Sequence, residues 1–359
     1  MPISAVDTIT LAFQHAKRQL IQPFRFGQWT RLAIVGLLAG EMGSGGSFHF
    51  PSSFNPQRQS PSHHLLSQAF PKIDPALLGA LIAVLVVTGL VFMVVMFYIS
   101  SVMRFILFDS VLTKECHIRD GWNRRQGPGW KYFLWQLGFT GVTLAAAVLL
   151  IGVPAAFAWG MGWFKQPREH LAALILGGIL MFFVAAAFII AVAVVHVFTK
   201  DFVVPQMALE GIGAIEGWRR LWPMIQADNR GYAGYVGMKI VLAIGAGIVI
   251  GIVTLILALM LAIPAIAVGI AAVFTGKSAG LTWNVFTITA AVIAACILFA
   301  VFMYLIALIS VPVIVFFPAY AIYFFAARYR ALSLVLYPLP PAAPPSQEPP
   351  PFPVAPAPA

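Results

Sequence analysis

Five stretches of this chain, 76–108, 132–159, 171–199, 233–272 and about 285–326, are apolar over more residues than the ~20 that cross a bilayer core. Surplus length on that scale is absorbed by tilting or by projecting beyond the bilayer. Such runs leave little room for a polar surface. Only 9% of the 359 residues are charged and 60% are hydrophobic, where soluble domains carry about 25% charged residues. The expected fold class is therefore all-α, a polytopic membrane bundle of about six transmembrane helices.

The sixth helix is expected near the start. The charge-free part of 28–41, Leu32 to Gly40, is short for a span. It becomes adequate if Trp29 and Arg31 snorkel at one end and Glu41 at the other. Before it, residues 1–22 place Ile3, Val6, Ile9, Phe13, Ala16 and Leu20 at helical spacing, with Asp7, His15, Lys17 and Arg18 opposite. That pattern predicts an amphipathic helix in the membrane interface. The same stretch lacks an apolar core and a cleavage site, so no cleavable leader is expected. Residues 23–335 then form the membrane domain. A Gly/Ser/Pro-rich loop at 42–75 lies on the extracytoplasmic side, and the Pro-rich segment 336–359 is a disordered cytoplasmic tail.

The charge balance of +10 suggests nucleic acid in a soluble protein. Here the cations sit between apolar runs, so anionic headgroups are the expected partners and nucleic acid is not. With six spans, seventeen of the 22 Lys and Arg residues fall on one side and five on the other. By the positive-inside rule the rich side is cytoplasmic, and it holds both termini.

The rich side also carries a repeated phrase. DGWNRR at 120–125 and EGWRRL at 216–221 are preceded by Asp109-Ser-Val-Leu and Asp201-Phe-Val-Val, and QWTRL at 28–32 is a partial third copy. Trp-x-Arg thus recurs at Trp29/Arg31, Trp122/Arg124 and Trp218/Arg220, each before a span leaving the cytoplasm. The economical reading is an internal duplication of helical hairpins in parallel orientation. Trp and Arg at this depth anchor a chain to headgroups and phosphates. The sharper alternative makes Trp29, Arg31, Trp122, Arg124, Arg125, Trp218, Arg219 and Arg220 a binding site for an anionic lipid or a protein partner.

Asp109, Asp201 and His196 are the polar candidates at span ends, since carboxylates within apolar segments are costly and suspect. Arg104, Lys114 and Lys200 lie close enough in sequence to pair with the two aspartates. His63-His64 lack a second ligand pair, and Cys116 and Cys296 are too far apart to suggest a metal site, so no metal, cofactor or catalytic residue is expected. TGKSAG at 275–280 lacks the Gly and the strand of a phosphate-binding loop. The Gly247/Gly251 pair permits close helix packing, and PPPFPV in the tail could dock an aromatic groove.

PFRFGQWTRLAI near the start, FDSVL after a long span and DFVVPQMALEG before the Trp-Arg linker resemble a group of bacterial six-span proteins. These are similar to the membrane domain of some bacterial glycerophosphodiester phosphodiesterases. The resemblance covers about residues 5–330 and implies a helical module in a bacterial plasma membrane. It does not carry over the diesterase activity, which belongs to a soluble barrel that this chain has no room for. Three functions remain: a non-enzymatic scaffold, lipid-interacting or accessory module; a permease or carrier for a small solute or lipid; and an embedded enzyme. The first is favoured. Pro154, Pro264 and Pro312 could break helices as a carrier needs, and a carrier also predicts a cavity reaching Ser310 and Tyr304.

Overall fold

A computed structural model describes residues 4–22, 24–41, 75–163, 168–278 and 285–337. The expectations for residues 42–74 of the loop, His63-His64, the last two residues of TGKSAG and the tail beyond Tyr337 lie outside those residues. Within them the chain is helical throughout. Its elements are α1 (Asp7–Leu20), α2 (Phe26–Leu38), α3 (Pro75–Thr113), α4 (Ile118–Gly160) and α5 (Leu171–Phe198). A π turn (Thr199–Val203) leads into α6 (Val204–Glu210), followed by α7 (Ala214–Ala227), α8 (Asn229–Ser278), α9 (Val285–Ala326) and α10 (Arg330–Leu336). In hydrocarbon, backbone N–H and C=O groups are satisfied by helices, which is why apolar runs of this length take that form.

Five of these helices are long and apolar enough to cross a membrane: α3, α4, α5 continued through α6, α8 and α9. The protein is therefore a multi-pass membrane protein. Segment 28–41, counted above as a sixth span, is different. Its helix α2 has 13 residues, about 20 Å at 1.5 Å per residue, against a core about 30 Å thick. Gln28 donates to the Lys114 carbonyl (2.6 Å) and Arg31 to that of Cys116 (3.3 Å), which puts the start of α2 beside the α3–α4 turn. At its other end the Ala39 carbonyl accepts from Arg104 (2.9 Å), so α2 lies antiparallel to α3. Glu41 does not snorkel outward as the span reading requires; it is 2% exposed inside the protein.

The core is concentrated at one end of the long helices. Buried residues come mainly from α1 and α2, the C-terminal parts of α3 and α9, the N-terminal parts of α4 and α8, and the chain from Phe198 through α7. Phe202 is its hub, with ring centroids 5.1–5.3 Å from Tyr235, Phe325 and Tyr232. Aromatic pairs at such distances add about 0.5–1.5 kcal/mol each beyond area burial. Where helices touch closely, glycine makes room: a Cβ on Gly36 would meet Ile314 at 2.6 Å, and one on Gly129 would meet Val102 at 2.7 Å. The opposite halves are bare. Val84–Val95 of α3, most of 142–157 of α4, and Ile248–Ile270 of α8 present exposed apolar side chains.

The N-terminal amphipathic helix is α1, but it does more than float at an interface. His15 bonds the Val111 carbonyl through Nε2 (2.8 Å) and the Tyr323 hydroxyl through Nδ1 (3.1 Å), tying α1 to α3 and α9. Burial, ahead of all other influences, lowers the His15 pKa from its ordinary 6.5, so the neutral ring is favoured. Pro154, Pro264 and Pro312 lie inside helices that continue on both sides rather than breaking them.

Candidate functional site

Two prolines of the core do shape local structure. Pro205 has no N–H for the Asp201 carbonyl, and in a regular helix its ring would press on that carbonyl. The chain widens there into the π turn, where the Val204 N–H reaches back five residues to the Thr199 carbonyl. Such π bulges are frequent at functional sites, and this one aims Lys200 and Asp201 into the protein. Thr199 fixes it further, accepting from the Trp218 indole at 3.0 Å. Pro318 of α9 closes the opposite wall, lining a cavity of about 30 Å³ with Glu41, Arg104, Lys200 and Asp201.

Around that turn lie five charged side chains. Lys200 donates to Glu41 Oε2, and Lys239 donates to Asp201 Oδ2. The Tyr235 hydroxyl donates to the same Asp201 oxygen at 2.8 Å. Arg104 gives one Nη to the Ala39 carbonyl (2.9 Å) and the other to the Tyr132 hydroxyl (3.1 Å). Glu41, Arg104, Asp201 and Lys239 are all less than a tenth exposed, and the Lys200 side chain is 12% exposed. Buried charges of this kind are tolerable only when paired and hydrogen-bonded.

The polar span-end candidates separate here. Asp201 is at the centre of the cluster, and His196 lies one turn before Lys200, exposed, on the rim of a cleft of about 410 Å³ between α5 and α8. Asp109 is elsewhere. It accepts both Nε (2.7 Å) and Nη2 (2.6 Å) of Arg125, with Arg124 at 3.6 Å. Both aspartates are therefore paired, though not with the sequence neighbours Arg104, Lys114 and Lys200 considered above.

The repeated phrase resolves into three unlike settings. The Trp29 indole donates to the Leu20 carbonyl (3.0 Å) at the α1–α2 turn. Trp122, in the first turns of α4, stacks edge-on against Tyr98 at 6.1 Å. Trp218 sits in the middle of α7 and holds the π turn. Their arginines are largely engaged: Arg125 also donates to the Ala208 carbonyl (2.6 Å) and Arg220 to Glu210 and Glu216. Arg31 donates to the Cys116 carbonyl. Arg124 and Arg219 keep most of their side chains in the open, 65% and 82% exposed. Gly211, at φ +69°, ends α6 in the left-handed conformation that favours glycine, and its carbonyl accepts from Lys131 at 3.0 Å.

Glu41, Arg104 and Lys239 were not among the sequence candidates. The signal was present for the two cations, since Arg104 and Lys239 are the charges inside the apolar runs 76–108 and 233–272, and intramembrane charges are functional suspects by default. Counting cations by side of the membrane hid their depth.

An all-helical, multi-pass membrane protein with a buried charge cluster at one end of its bundle is the class this geometry defines. Residues 3–335 match the family described as Family of unknown function (DUF7544), and the chain belongs to that family. No curated protein and no solved structure matches the chain.

Proposed function

We propose that this protein is a non-enzymatic, lipid-interacting membrane module. The observation that carries the reading is the division of each long helix into a packed half and a bare apolar half. Among the described residues nothing covers those faces; acyl chains do, and they meet the packed core where its cations lie. The buried carboxylates speak against acid–base work: Glu41 and Asp201 are each held by a lysine ammonium.

The bonds of α1 to Val111 and Tyr323 put the N-terminal helix at the end of the bundle where α3 and α9 finish; the cation-rich linkers at that end support a cytoplasmic place for both termini, and the spacing of the Trp-x-Arg phrases supports duplicated hairpins. The resemblance of PFRFGQWTRLAI, FDSVL and DFVVPQMALEG to the membrane domain of glycerophosphodiester phosphodiesterases is in keeping with the same role, a module that serves lipid chemistry done elsewhere. For the carrier reading, Ser310 and Tyr304 were the key groups. Ser310 donates back to the Ile306 carbonyl (2.8 Å), and Tyr304 meets Thr30 of α2 at 3.4 Å.

The test is native mass spectrometry of the full chain released from mild detergent after extraction from membranes. Retained anionic phospholipid supports the module. A chain that emerges free of lipid across a range of activation energies refutes it.

A further inference from the structure

Among the described residues the charge cluster is not balanced by its own walls. Arg104, Lys200 and Lys239 bring three positive charges against the two carboxylates of Glu41 and Asp201. One positive charge is left over among side chains no more than 12% exposed, where an uncompensated ion costs several kcal/mol. Donors are left over too. The buried Nε of Arg104 has no hydrogen-bond partner among the described residues. Lys200 and Lys239 each use one donor on a carboxylate, and an ammonium has three.

All three cations line the 410 Å³ cleft between α5 and α8, while neither carboxylate does. They form its floor, and exposed His196 and Ile240 form its mouth, facing the side that acyl chains would cover. Lys239, Ile240 and Ala243 are on one face of α8, and His196 and Lys200 are a turn apart on the other wall. The volume is within the range of small-ligand sites, ~300–1,000 Å³. Converging, charge-assisted N–H donors of this kind select a tetrahedral oxyanion over a neutral polar group.

We propose that this cleft binds a phosphate oxyanion, with the spare ammonium protons of Lys200 and Lys239 as donors and the Arg104 guanidinium adding positive charge at its floor. A phospholipid headgroup entering from the side and free phosphate share that chemistry. The headgroup as source rests on the lipid-interacting reading above; the anion site itself does not.

The experiment uses the full chain and two variants. Ala243→Phe fills the cleft without altering a charge, and Arg124→Ala/Arg219→Ala strips the exposed linker cations. In one arm, each is taken from nanodiscs of phosphatidylcholine containing phosphatidylglycerol, and retained lipid is measured by native mass spectrometry. In the other, delipidated protein is titrated with inorganic phosphate against chloride at equal ionic strength, and thermal stability is followed. The shielded Cys116 thiol reports that each variant is folded.

Wild type is expected to retain phosphatidylglycerol, the Ala243→Phe protein about tenfold less, and the linker variant as much as wild type. Stabilisation by phosphate alone, with no lipid retained, upholds the cleft as an anion site and overturns the lipid source. Equal lipid retention by wild type and Ala243→Phe overturns the cleft and leaves the lipid-interacting reading standing. No response in either arm overturns both.

Discussion

Removing the carboxylate of Asp201 tests whether the charge cluster holds the core together. Asp201 is 5% exposed and Lys239 9%, so the Asp201→Asn protein keeps a buried ammonium beside a neutral amide. The cluster then has three cations against one carboxylate. Breaking one side of a buried pair costs about 3–5 kcal/mol. The amide oxygen can still accept from the Tyr235 hydroxyl, so the loss reports charge rather than that hydrogen bond. Lys239→Met leaves Asp201 bonded to the Tyr235 hydroxyl and brings the cluster to two cations against two carboxylates, so it should cost less than Asp201→Asn. Removing both partners should cost far less than the sum, because the desolvation of both charges is relieved together.

The assay is unfolding in dodecyl maltoside in a Cys296→Ala background, followed by alkylation of Cys116, a thiol 3% exposed in the core. A surface control sets the scale: Arg219→Ala, at a pair whose arginine is 82% exposed, should change stability by no more than about 0.5 kcal/mol. If the two single losses add in the double variant to within about 0.5 kcal/mol, the two residues do not depend on each other. The reading of the cluster as a coupled unit is then refuted.

Two glycines of α4 should respond with opposite signs. Gly129→Ala puts a Cβ 2.7 Å from Val102 Cγ2 and 3.2 Å from its Cα, an overpacking of about 1–3 kcal/mol. Gly138→Ala meets nothing within 4 Å and should gain about 0.5–1 kcal/mol from helix propensity; thermal melts of both decide it. His15, whose pKa burial lowers in the folded state, takes up its proton more readily unfolded. Stability should thus be full above pH 6.5 and fall as pH drops below it towards the folded pKa; His15→Ala should be less stable at pH 7.5 and flatter between pH 7.5 and 5.5. Burial raises the Cys116 pKa, so iodoacetamide should modify the native thiol much more slowly than the unfolded one at pH 8; equal rates would place Cys116 outside the core.

Helix type and the five long spans were legible because apolar run length and backbone satisfaction in lipid leave one outcome. What the runs could not show is that each helix is used unevenly. The residues of α8 before and after Ile240 read alike, yet Tyr232, Tyr235 and Lys239 are core and Ile248 to Ile270 are bare. That division depends on which partners arrive, and α1, α2 and the 198–227 connection all arrive at one end. The same cause explains α2. Its short apolar stretch looked like a span needing help from Glu41, but the help runs inward, to Lys200.

The repeated phrase marks the same end, and its tryptophans do different work in each place. Trp218 secures the π turn through Thr199 while Trp29 closes the α1–α2 corner. Spacing in sequence reported that three segments return to one face of the membrane; it could not report the bonds made there. Depth was the missing coordinate. Arg104 and Lys239 counted as two more cations of the linker face, yet both point into the low-dielectric interior, where a single unbalanced charge outweighs many exposed ones. The most informative charges in such a chain are therefore the isolated ones within apolar runs. Here they converge with Lys200 on one cleft and leave a positive charge for a ligand to neutralise.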